Sequence, residues 1–247
     1  MANSISQLSN GYFGGRSLVQ QKGSKGGARN VFVKLDDIKD DLVFPTFGGQ
    51  VMNPFPGAAK IYAGDLMEFR TEEDGLKGKV YILKTYEVVS ASGATVNIVR
   101  DGFHHIPFVG DTLMIAPSEI GGSGEALTVI AKSATKANGK DVWALTLSKT
   151  PTGVPEAGNV LVESDKEGNM VVKNINAVAG WDYDFMWSES ADPANPDPVF
   201  DAARYMLTPA LRGTMYMSKM SVLPECVKNL NICNINGWFR VDALNKK

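Results

Sequence analysis

The chain has 247 residues, 44% of them hydrophobic and 21% charged, with a formal net charge of −2. That is ample for a full apolar core and is ordinary for a globular protein. The near-neutral balance argues against a dedicated nucleic-acid or anionic-membrane partner, so neither is expected. Two cysteines, Cys226 and Cys233, cannot build a disulfide framework, and no basic-then-apolar leader opens the chain. Folding in a reducing cytoplasm is the expectation, with no membrane-spanning stretch.

Residues 1–35 read as a flexible basic, glycine-rich arm. Arg16, Lys22, Lys25, Arg29 and Lys34 precede the first acid, Asp36. Such a stretch buries too little apolar surface to offset its ordering entropy. Tyr12, Phe13, Leu18 and Val19 are its apolar exceptions; with Arg16 they are candidate partner-binding residues, able to order the arm upon a neighbouring subunit. Residues 36–59 read as an irregular connection. It contains the acidic run Asp36-Asp37-Ile38-Lys39-Asp40-Asp41 and then Pro45, Pro54 and Pro56.

Residues 60–185 read as a β-barrel or sandwich domain. Ala126 to Ile130, then Asn138-Gly139, then Val142 to Leu147 is a hairpin, because Asn and Gly tolerate the positive φ of a type I′ turn. A second hairpin turns at Ser92-Gly93 and a third at Gly168-Asn169. Gly64-Asp65, Gly110-Asp111 and Gly158-Asn159 each precede a short apolar strand. The hairpin glycines Gly93 and Gly139 each follow their own Gly-Asp turn by 29 residues. The expected unit is therefore turn, short strand, loop and hairpin, repeated along the chain.

Residues 186–247 read as a C-terminal section with one short helix and strands. Asp197-Pro198 is suited to cap a helix through Val199, Phe200, Ala203, Met206 and Leu207, ending near Thr208-Pro209. Strands are expected from Thr214 to Val222 and from Leu230 to Val241. Met215 and Met217 would share one strand face, as core or as a partner-binding surface.

Catalysis, a cofactor and a metal are not expected. His104 and His105 are adjacent and would point to opposite faces of a strand. Cys226 and Cys233 read as packing thiols. Gly121-Gly122-Ser123-Gly124 lacks the Lys and the helix of a phosphate loop and reads as a flexible loop. Asp182 and Asp184, beside Trp181 and Trp187, are the one pattern that suits sugar binding or glycoside chemistry, against the plainer reading of an edge strand. Asp192, Asp197 and Asp201 lack the spacing of a calcium loop.

Val142-Trp143-Ala144-Leu145-Thr146-Leu147-Ser148-Lys149-Thr150-Pro151, followed by Gly153 to Leu161, resembles a β unit of tailed-bacteriophage head proteins. Leu207 to Tyr216 is similar to the C-terminal part of head-fibre and auxiliary capsid proteins of Bacteroidetes phages, including the crAss-like group. Asn159 stands where that pattern prefers Asp. The resemblance implies a non-enzymatic subunit that decorates or stabilises the phage head. It would be made in the host cytoplasm, reside in the virion and bind the major capsid protein, itself or other head proteins. Other expectations are a tail, baseplate or major-shell subunit, or a carbohydrate-binding module.

Overall fold

The computed structural model describes residues 49–53, 61–71, 78–101, 104–180, 182, 206–207, 209–210, 213–216, 221–229 and 239–242. The fold is mainly β, as expected. The strands are β1 (Gly49–Val51), β2 (Leu66–Thr71), β3 (Gly78–Ile82), β4 (Thr85–Ser92), β5 (Thr95–Val99), β6 (Thr112–Ile115) and β7 (Leu127–Ala137). They continue as β8 (Lys140–Leu147), β9 (Val160–Glu163), β10 (Ala177–Ala179), β11 (Met206–Leu207), β12 (Pro209–Ala210), β13 (Gly213–Tyr216) and β14 (Phe239–Asp242). The described helix, α1, is Glu225–Asn229.

Six strands close an antiparallel barrel in the order β4-β5-β8-β7-β6-β9. Its interior is filled by Tyr86, Val88, Val96, Ile98, Leu113, Leu127, Val129, Leu145, Leu147 and Leu161. Alternation explains the filling: Val96 and Ile98 of β5 are buried, whereas Thr95, Asn97 and Val99 are not. A second sheet has the order β11-β1-β3-β2-β10-β12. Only residue 208 separates β11 from β12, yet they lie at opposite edges. Two Cα atoms so placed are at most about 7 Å apart, so this sheet must curl until its edges nearly meet. A second core, including Leu66, Leu83, Met114, Val162, Val178 and Val227, joins this sheet to the barrel and α1.

One turn recurs three times. Gly64, Gly110 and Gly158 have φ of 86°, 103° and 90°, which a side chain would strain. At each, the next residue accepts a backbone N–H three residues upstream through its own side chain. The pairs are Tyr62 to Asp65, Phe108 to Asp111 and Glu156 to Asn159, each at 2.8 Å. Each glycine N–H donates to a neighbouring strand, at Ala179, Val129 and Val88 in turn. The N–H of that same strand residue returns to the Asp or Asn carbonyl. The chain is thus pinned to an adjacent strand at the start of β2, β6 and β9.

The two hairpins occupy equivalent barrel positions, related by exchanging β4, β5 and β9 with β7, β8 and β6. Both carry a register shift just past the pinned residue, between Val88 and Ser90 and between Val129 and Ala131. Asn138 and Gly139 both have positive φ, whereas at the other hairpin Gly93 does and Ala94 does not. These are the patterns of type I′ and II′ turns.

Several expectations are corrected. The Gly64 strand does not serve its own hairpin: β2 joins the curled sheet, and β9 takes its place beside β4, because the Gly158 turn bonds to Val88. The stretch expected to be irregular contains β1, which pairs in parallel with β3. Met206 and Leu207 are in a strand opposite Gln50 and Gly49, not a helix; ladder pairing overrides their helical spacing. The rest of that proposed helix, with Asp197 and Pro198, lies outside the described residues. Ser221 and Val222 lie past β13, outside any strand. The third hairpin is only a turn with single bridges, Ser164 to Met170 and Ser123 to Asn169. The Gly121–Gly124 loop is packed against it, through Gly124 N–H to Gly168 C=O at 2.8 Å.

That contact gives a direct comparison of two glycines. Gly139 and Gly168 have φ of 75° and 85°, but a Cβ at Gly139 meets nothing within 4 Å whereas one at Gly168 collides with the Gly124 carbonyl. Gly139→Ala is expected to cost about 1 kcal/mol, for backbone conformation alone. Gly168→Ala should cost roughly twice that or more, because the loop must also move. Urea unfolding of both variants checks the ranking, and equal losses would contradict the packing account.

Candidate functional site

Among the described residues, a polar cluster is buried where the curled sheet meets the barrel, around the short β3–β4 link. Asp65 comes from the turn before β2 and is 2% exposed. Its Oδ2 accepts the Tyr62 N–H at 2.8 Å and lies 3.0 Å from His105 Nε2. Its Oδ1 accepts the Ser221 hydroxyl at 2.7 Å. His105 Nδ1 in turn accepts the Thr85 N–H at 3.0 Å. An amide N–H only donates, so Nδ1 carries no proton and Nε2–H must donate to Asp65. Burial alone pushes the Asp65 carboxyl up; the His105 ring and the converging hydrogen bonds outweigh it, and it sits below the usual range.

A serine, an aspartate and a histidine in contact invite comparison with a nucleophilic relay, but the connectivity differs. In a relay the imidazole stands between hydroxyl and carboxylate and removes the hydroxyl proton. Here the carboxylate stands in the middle and both neighbours donate to it. The ring's other nitrogen is held by a backbone amide. What this arrangement does chemically is tie three distant segments to one buried anion.

A second set continues the joint. Lys84 Nζ, on a side chain 1% exposed, reaches Glu163 Oε1 at 3.1 Å. Glu163 Oε2 accepts Asn53 Nδ2 at 2.8 Å. Asn53 also bonds both the C=O and the N–H of Ile82, each at 2.7 Å, as a strand neighbour would. Asp111 lies nearby, and burial raises its carboxyl, with Lys84 opposing and Glu163 adding. Burial, then Asp111 and Glu163, raise the Tyr86 phenol well above its ordinary value. A cavity of about 10 Å3 beside Asp65, Thr85 and Ser221 is no larger than one water needs.

The remaining expectations sort as follows. The adjacent histidines diverge: His104 faces Asp101 at 2.7 Å near the surface, while His105 is in the joint. Asp182 accepts the Ala63 N–H at 2.8 Å. Cys226 is buried in the second core, where burial raises its thiol. Met215 lies in β13, opposite Val241 of β14. Tyr12, Phe13, Arg16, Leu18, Val19, Met217, Trp181, Asp184, Trp187, Asp192, Asp201 and Cys233 lie outside the described residues. Among the described residues no three or more His, Cys, Asp or Glu are grouped to hold a metal ion, and no helix is long and apolar enough to cross a membrane. The joint itself was not foreseen: Asp65 is 40 residues from His105 and 156 from Ser221. No spacing rule connects them.

The chain matches no protein-family model, no curated protein and no solved structure.

Opposite outcomes are expected from one substitution at two equivalent turns. Asp65→Asn places an amide among three donors and should destabilise by about 2–4 kcal/mol. Asp111→Asn keeps the turn's acceptor, as Asn159 does, and removes a charge. Because that carboxyl is only half-buried, the variant should stay within about 1 kcal/mol of the parent. The depressed Asp65 carboxyl contributes stability that is present above its unfolded value of about 4 and is lost as pH falls through its lower folded value. Asp65→Asn should therefore flatten the stability profile below about pH 4. Denaturant titrations across pH test both points, and an unchanged acid slope would sink the assignment.

Proposed function

We propose that this chain is a virion structural subunit that binds the major capsid protein and decorates or stabilises a phage head. Its work is association with other protein subunits, without catalysis or a cofactor. The observation that carries the reading is where the resembling segment falls in the fold. Val142 to Leu161 takes in β8 from Val142 onward, its following turn and the start of β9, two walls of one closed barrel. The turn between them is itself built, not a loose connection. Glu125 accepts the Thr152 N–H at 2.7 Å and pairs with Lys149 at 2.9 Å. Pro151 and Pro155 are buried in it. The buried joint supports the same reading, since its carboxylates and cations are spent on one another and on backbone amides. A closed barrel joined to a curled sheet through buried contacts suits a shell component.

The test is co-sedimentation of the purified chain with phage heads assembled from the major capsid protein, followed by cryo-electron microscopy of the pelleted particles. Stoichiometric binding and added density on the shell are expected. Removal of residues 2–30 should weaken binding while leaving the melting temperature nearly unchanged. A full-length chain that stays in the supernatant would overturn the proposal.

A further inference from the structure

β6 is short and pairs with β7 only at Leu127 and Thr128, yet β7 continues to Ala137. Past the register shift, Ala131, Ser133, Ala134, Thr135 and Lys136 are all exposed. No strand among the described residues pairs with this side of β7 beyond the Gly110 turn at Val129.

Hairpin geometry says which backbone groups face outward. In a two-residue turn the flanking pair, here Ala137 and Lys140, exchanges both hydrogen bonds. Bonding then alternates, through Thr135 with Val142 and Ser133 with Ala144. Ala134 and Lys136 fall between, so their N–H and C=O groups point away from β8. The same parity holds on β8, where the Asp141 carbonyl accepts the Arg100 N–H on the β5 side. An edge of this kind is a template for one more strand.

Side chains select what that strand is. Lys136 is 78% exposed at its side chain and faces Asp141 at 3.7 Å, with Lys140 close by on β8; Lys132 Nζ donates to the Pro107 carbonyl at 3.1 Å. Pairing β7 with its own copy about Ala134 would set Lys132 opposite Lys136, which like charges disfavour. The complement is an extended segment with an acid opposite Lys136 and an apolar residue opposite Ala134, next to its cross-strand neighbour Trp143. This chain's sequence contains that alternation in Asp36-Asp37-Ile38-Lys39-Asp40. Run antiparallel, Asp36 meets Lys136 and Ile38 meets Ala134. We propose that the β7 edge is an assembly surface that takes the Asp36–Asp40 segment of a second copy as an additional antiparallel strand. The inference goes beyond the proposed function and does not rest on the phage-head assignment.

The test is sedimentation velocity of the full chain over a concentration series, with circular dichroism melting of each variant as the folding control. The parent is expected to self-associate reversibly, more weakly at high salt. Lys136→Glu and Asp36→Lys should each weaken association roughly tenfold or more, and an equimolar mixture of the two should recover it. Ala134→Pro removes only an outward N–H, which an edge strand tolerates. It should abolish association with little change in melting. A parent that stays monomeric throughout, a mixture that fails to recover, or a folded Ala134→Pro variant that associates as the parent does would each overturn the proposal. If Ala134→Pro unfolds, the charge-swap mixture decides alone. Shell co-sedimentation reads out separately, so failure here and failure of the head assignment are distinguishable.

Discussion

One buried carboxylate governs how the two halves of this chain meet. An ionised group this far from water is tolerated only when donors replace its hydration. Asp65 receives them from Tyr62 in its own turn, His105 in the β5–β6 connection and Ser221 ahead of α1. None of these donors is a neighbour of another in sequence, so the charge is satisfied only when all three segments are in place. His105 extends the constraint by holding the first amide of β4, the strand that enters the barrel. Curled sheet, barrel and the segment ahead of α1 are therefore tied through one charge, in addition to the apolar contacts of the second core. The Tyr86 ring, edge-on to His105 with centroids 6.5 Å apart, joins the cluster to the barrel interior.

The same turn serves under three electrical conditions, which separates what the turn needs from what the joint needs. At Asn159 the acceptor is a neutral amide on the surface; at Asp111 it is a carboxyl that burial pushes up; at Asp65 it is an ionised group with added donors. The backbone pattern around all three is alike. A positive-φ glycine followed by any short acceptor thus suffices to pin a chain to its neighbouring strand. Charge at Asp65 is an addition, and it pays for itself only because His105 and Ser221 arrive from elsewhere.

Local chemistry was legible in the sequence and long-range pairing was not. Asn138-Gly139 and Gly93 fix hairpins within a few residues, so their turns and strands follow from composition. The three Gly-Asp or Gly-Asn turns were visible for the same reason. Which strand each turn pins to was not, because the partner bonds through backbone groups that every residue possesses. The Gly158 strand and the Gly64 strand carry similar apolar residues, and nothing in either marks it for barrel or sheet. Met206 and Leu207 failed differently. Their spacing fits a helix, but two residues cannot declare that Gln50 and Gly49 await them across the sheet. His105 has only His104 as a like neighbour in sequence, whereas its partners in the fold are Asp65 and Thr85.

The internal symmetry of the barrel also says which part of it closure does not require. Past the register shift the first hairpin needs only Ser90 to Ser92 before it turns, whereas the second runs from Ala131 to Ala137. Both sit in equivalent places, so the shorter one measures what the barrel asks of a hairpin. The added length carries no apolar residue larger than alanine on β7, and its side chains there are largely exposed. It therefore contributes little burial while fixing extra backbone, a net entropic cost. Its β8 half is different: Val142 is fully buried and Trp143 packs against the barrel core beneath the Arg100 guanidinium, 4.8 Å from the ring. One strand of the extension is thus anchored and the other is presented. An anchored strand holds an exposed partner in register, and among the described residues no strand pairs with the outer side of β7 past Val129.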